Sequence, residues 1–173
     1  MRESGDQFLG RRLRRGTAYR FRPAAIILIP VAAILLQVYL PLFFSGFAQL
    51  ELPLLVTVYF AIKRRQPVSA LLIGAGIGLV QDALSNNPIG MFGIIKTLTG
   101  YFAGVLSTRM DTDSAVVRFF INLFFYFFHQ FFYWAMSTSM LGHQPLMEPL
   151  SLALYGLVNA IVAVPLFRLL DKI

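Results

Sequence analysis

The chain has 173 residues, of which 57% are hydrophobic and 13% charged, with a mean hydropathy of +0.69 and a formal net charge of +7. That balance excludes an ordinary soluble domain and points to a membrane protein. Six helical spans with short connections would use nearly the whole chain, so a separate soluble domain is not expected, and the absence of cysteine excludes disulfides, thiolate metal sites and Cys-linked lipid.

Residues 1–23 form an arginine-rich arm, "MRESGDQFLGRRLRRGTAYRFR" up to Pro23, which is either mobile or lies on the membrane surface with Phe8, Leu9 and Leu13 dipping in. Its "GRRLRR" is not read as a twin-arginine export signal, because the apolar run that follows is long for a signal core and has no small-residue cleavage site. Residues 24–173 read as one transmembrane domain. Apolar runs at about 24–44, 47–62, 67–84, 89–108, 115–141 and 149–170 each approach the roughly 20 residues that a helix needs to cross a bilayer. The second and third are short, and "KRRQP" joins them. Continuous apolar runs without alternation exclude a β-barrel, so the expected fold is an all-α polytopic bundle of about six transmembrane helices.

Charge follows the connections. Seven arginines precede the first run, Lys63, Arg64 and Arg65 follow the second, Arg109 and Arg118 flank the fourth-to-fifth connection, and Arg168 and Lys172 close the chain. The alternate loops, around "SGFAQLE", "SNNPIG" and "GHQPLME", have no Lys or Arg. By the positive-inside rule both termini are cytoplasmic. The basic balance is then a topology signal with a secondary contact to anionic membrane lipids, and no nucleic-acid partner is expected. Pro53 and Pro67 suit first turns, whereas Pro30, Pro41 and Pro165 would kink their helices.

In the third span Gly74, Gly78 and Asp82 recur every four residues on one helix face, and Gly100 and Gly104 repeat the pattern in the fourth. Such spacing lets helix backbones approach, against each other or against a partner's helix. On this reading Gly78→Leu should weaken partner association more than folding. Asp82 and Lys96 are costly inside a membrane. They either close the hairpin, as an ion pair or through a carboxylate capped by Ser85 and Asn86, or engage a partner helix or small ligand; a proton-carrying role is the remaining alternative. In the fifth span, at about 100° per residue, Asn122, Tyr126, His129, Gln130, Tyr133 and Ser137 share one stripe, with most phenylalanines opposite. The stripe should face protein or a cavity. His129 is either a hydrogen-bonded packing residue or a ligand or metal contact. No phosphate loop, His-x-x-x-His pair or serine elbow occurs, which disfavours an enzyme; no cofactor or metal is expected.

The early Pro53 followed by "GAGIGLVQDALSNNPIGMFGIIKTLTGYFAG" resembles the rod shape-determining protein MreD family, at Gly74, Gly78, Asp82, Pro88, Gly90, Gly100 and Tyr101. The resemblance implies a non-enzymatic scaffold of the cell-elongation machinery in the bacterial inner membrane. It would associate with an MreC-like bitopic membrane protein, and through it with the MreB filament and the SEDS glycosyltransferase and transpeptidase pair. It also implies a fold resembling transporter S components. A vitamin-binding S-component-like subunit is therefore the second reading, with Gln49, Glu51, Asn86, Asn87, His143, Gln144 and Glu148 as its candidate polar contacts. An intramembrane enzyme or flippase-like protein is the third.

Overall fold

A computed structural model describes residues 23–43, 46, 49–85, 88–142 and 148–172. The arginine-rich arm, and the candidates Asn86, Asn87, His143 and Gln144, lie outside the described residues. Those residues form six helices and no strand: α1 (Pro23–Phe43), α2 (Leu52–Arg64), α3 (Pro67–Leu84), α4 (Met91–Ser107), α5 (Ala115–Leu141) and α6 (Pro149–Leu170). Four of these, all but α2 and α4, are long and apolar enough to cross a membrane. The bounds fall where the apolar runs put them, except that α2 begins at Leu52 rather than near 47. Pro53, Pro67 and Pro149 occupy first turns, where the missing N–H costs nothing. α1 runs on through Pro30 and Pro41, and α6 through Pro165.

α2 is the centre of the molecule. From Pro53 to Lys63 every residue is buried, Thr57 and Lys63 included, so neighbouring helices enclose this one on all sides. Leu55, Val58, Phe60 and Ile62 pack with Ile34 of α1, Ala70 and Ile77 of α3, Ala103 of α4, Phe125 of α5 and Phe167 of α6. The outer helices turn apolar side chains away from the protein: Ile27, Leu28 and Leu42 on α1, Phe120, Phe124 and Phe131 on α5, and Leu150, Leu154 and Ile161 on α6. These faces suit lipid.

One end of the bundle is closed by charge. Lys63 contacts Asp171 at 2.9 Å and Asp113 at 3.3 Å, and Arg118 contacts Asp171 at 2.8 Å and Asp113 at 3.6 Å. The Arg118 Nε–H also donates to the Thr112 carbonyl, and the Tyr59 hydroxyl to Asp171. Both cations are buried, whereas Asp113 is 67% exposed and Asp171 28%. Burial alone would raise the Asp171 carboxyl, but the hydrogen bonds and positive charges of Lys63 and Arg118 outweigh it and hold the group below its ordinary 3.8. A depressed folded value means that this contribution is present above the unfolded pKa and lost as pH falls below 3.8 through the depressed value. Asp171→Asn removes the nearer carboxylate from two buried cations and is expected to destabilise the protein by about 3 kcal/mol. Asp113→Asn, at an exposed carboxylate, should cost less than about 1 kcal/mol. Equal shifts of the two variants in detergent denaturation would contradict this division.

Candidate functional site

The sequence candidates gather at two joined places, the seam between α3 and α4 and the inward stripe of α5. The seam is made backbone to backbone. A Cβ added at Gly74 would collide with the Lys96 carbonyl oxygen, at Gly78 with the Phe92 carbonyl oxygen, and at Gly100 with the Ala70 carbonyl oxygen; at Gly104 it would stand 2.9 Å from the Pro67 Cα. Of the two uses foreseen for the glycine faces, contact with each other is the one the fold makes. Those faces are therefore filled from within the chain.

Asp82 is buried and closes the hairpin, though not by pairing with Lys96. Its Oδ2 accepts from the Gly90 and Gly93 N–H groups and its Oδ1 from the Phe92 N–H, each at 2.9 Å. A carboxylate at the end of α3 thus caps the start of α4, satisfying N–H groups that the first helical turn leaves without intrahelical partners and complementing the helix dipole. Gly90 makes this possible with a φ of 101°, a left-handed conformation that L side chains rarely adopt. Ser85 does not cap the carboxylate; its hydroxyl donates to the Gln81 carbonyl. No ion pair within 4.0 Å joins Asp82 and Lys96.

On α5, Asn122, Tyr126, His129 and Ser137 are all buried, and Tyr133 and Gln130 partly so, so the stripe faces protein as its spacing implied. Asn122 Nδ2 donates to the Arg118 carbonyl at 2.7 Å, and Gln130 Nε2 to the Tyr126 hydroxyl at 3.2 Å. The Tyr126 ring lies against Gly156 of α6. Phe92, at the start of α4, joins the stripe to the hairpin: its ring stacks on His129 and on Tyr133, both at 5.8 Å, and Lys96 Nζ sits 4.6 Å from its centroid. His129 is a packing residue here without the hydrogen bond that reading supposed, since neither ring nitrogen has a partner.

Several groups escaped the sequence reading. Phe92 is one apolar residue among many. Asn159, a lone amide in the last span, was a signal: its Oδ1 accepts from the Glu51 N–H and its Nδ2 donates to the Gln49 carbonyl, both at 2.9 Å. Lys63 and Arg118 were legible as topology charges, but not as partners of Asp171. Among the described residues, no three His, Cys, Asp or Glu side chains are placed to hold a metal ion. No family model, curated protein or solved structure matches the chain.

Proposed function

We propose that the chain is a non-enzymatic scaffold of the bacterial cell-elongation machinery, an MreD-like protein of the cytoplasmic membrane with both termini in the cytoplasm. The observation that carries this reading is the α3–α4 hairpin. Five of the seven hairpin residues on which the resemblance rests have an architectural task within it: Gly74, Gly78 and Gly100 admit backbone contact, Asp82 caps α4, and Gly90 turns the chain. A motif spent on shaping one rigid hairpin supports a protein that presents helix faces to partners. On this reading an MreC-like bitopic protein docks on lipid-facing surface. MreB filaments and the SEDS glycosyltransferase and transpeptidase pair are reached directly or through that partner, and the fold resembles transporter S components. Deletion of the gene from a rod-shaped host is expected to give rounded cells that a plasmid copy restores. Unchanged rods would overturn the proposal.

A further inference from the structure

A groove of about 340 Å³ runs between α1 and α3, walled by Ile26, Pro30 and Ile34 on one side and by Leu72, Gly76 and Val80 on the other. Both helices are long and apolar enough to cross a membrane, and every residue lining the groove is apolar. Gly76 keeps it open: nothing lies within 4 Å of the position a Cβ would take there. The two walls run parallel. The Leu52 N–H donates to Gln37 toward the end of α1, so α1 begins at the other end of α2, where Arg64 finishes that helix and Pro67 starts α3. Counted from Pro23 to Ile26 and from Pro67 to Leu72, the walls begin about 4.5 and about 7.5 Å into their helices, at about 1.5 Å per residue. Each then continues for about 12 Å, from Ile26 to Ile34 and from Leu72 to Val80.

The end at which both walls begin is positively charged. Arg64 and Arg65 stand between α2 and α3, and in sequence Arg20 and Arg22 precede α1. Among the described residues neither Arg64 nor Arg65 makes an ion pair; the carboxylates of Asp113 and Asp171 at this end are engaged by Lys63 and Arg118, and Asp111 accepts from the Asp113 N–H of its own loop. Arg64 Nε is buried without a hydrogen-bond partner. Pro30 adds an acceptor, because it has no N–H to give to the carbonyl of Ile26, four residues earlier and at the charged end of the groove. An apolar slot with cations at one end only is complementary to a molecule with an apolar tail and an anionic head. A partner's transmembrane helix would fill the slot without using that charge.

We infer that the groove seats one acyl chain of an anionic phospholipid, whose phosphate lies at Arg64 and Arg65 and whose headgroup hydroxyls reach the Ile26 carbonyl. Phosphatidylglycerol has all three parts. Of the four membrane-crossing helices α1 has the smallest buried share, 17%, so a chain seated here also holds α1 to α3. The site does not depend on the scaffold reading, since it rests on the groove and on the charge at its end.

Tryptophan quenching tests this directly, because Trp134 is the one tryptophan of the chain. In a Trp134→Phe background, Ile27→Trp reports from the groove, and Val116→Trp from an exposed position on α5 two residues before Arg118 at the same end. In phosphatidylcholine bilayers, phosphatidylglycerol with brominated chains is expected to quench Ile27→Trp at about 25-fold lower mole fraction than Val116→Trp, the preference that two arginines at a membrane surface supply. Arg64→Gln and Arg65→Gln should each reduce that preference about fivefold. Gly76→Phe, which fills the groove, should abolish it while the melting curve in lipid-free detergent shows the protein still folded. Equal quenching at the two positions, or a preference that survives Gly76→Phe or the double arginine variant, would overturn the inference. A photo-crosslinker at position 27 in native membranes should capture phospholipid; capture of a polypeptide in its place would also overturn it and assign the groove to a partner helix.

Discussion

Gly78→Ala is expected to destabilise the isolated protein by about 3 kcal/mol, a large effect for one methyl group. The added carbon would collide with the Phe92 carbonyl oxygen and stand 2.6 Å from the Phe92 carbonyl carbon and from the Gly93 Cα. These are backbone atoms of the first turn of α4, so no side-chain rotation relieves the clash. Moving α4 away would pull the Gly90, Phe92 and Gly93 N–H groups off Asp82. Gly76→Ala is the control: nothing lies within 4 Å of its Cβ position, and the change should stay within about 0.5 kcal/mol of neutral. Reversible denaturation in mixed micelles measures both, and equal stabilities would contradict the seam. This geometry corrects the sequence expectation for Gly78→Leu: its face is filled by α4, so the larger side chain should remove folding and partner association together. On the proposed scaffold reading, partner contacts would fall instead on the outward faces of α1, α3, α5 and α6, where large apolar side chains are exposed.

Asp82→Ala is expected to cost about 4 kcal/mol, because it leaves three N–H groups at membrane depth without an acceptor, and hydrogen bonds to a charged group contribute roughly 1.5 kcal/mol or more each. Asp82→Asn retains one acceptor oxygen and loses the charge at the α4 N-terminus, so about half that loss is expected. The hairpin should also open locally, seen as faster amide exchange at Gly90, Phe92 and Gly93 with little change in the buried α2 core. Uniform acceleration across α2 and α4 would mean that Asp82 supports the whole fold and not the hairpin alone.

The helices were legible in the sequence because apolar runs and proline at first turns mark them directly. The start of α2 was not, because it is set by a tertiary contact: Asn159, more than a hundred residues later, holds residues 49–51 at depth, and an apolar run has no sign of that. Glycine spacing showed which faces of α3 and α4 admit close approach, but spacing alone cannot say whose backbone approaches. For Asp82 the residue type and position suggested closure of the hairpin; the partners proved to be backbone N–H groups, which every sequence has and none displays. The polar stripe of α5 was readable from period alone. Its junction with Lys96 through Phe92 depends on how α4 is set against α5, which no local pattern encodes.

The scaffold reading is tested most directly by affinity purification of the tagged chain from its native membranes after mild crosslinking, with mass analysis of the proteins recovered. The result expected is an MreC-like bitopic protein together with the glycosyltransferase and transpeptidase of wall elongation, recovered with wild type and lost with Gly78→Leu. Recovery of an ATPase module with no wall-synthesis protein would contradict it and make the chain a transporter subunit.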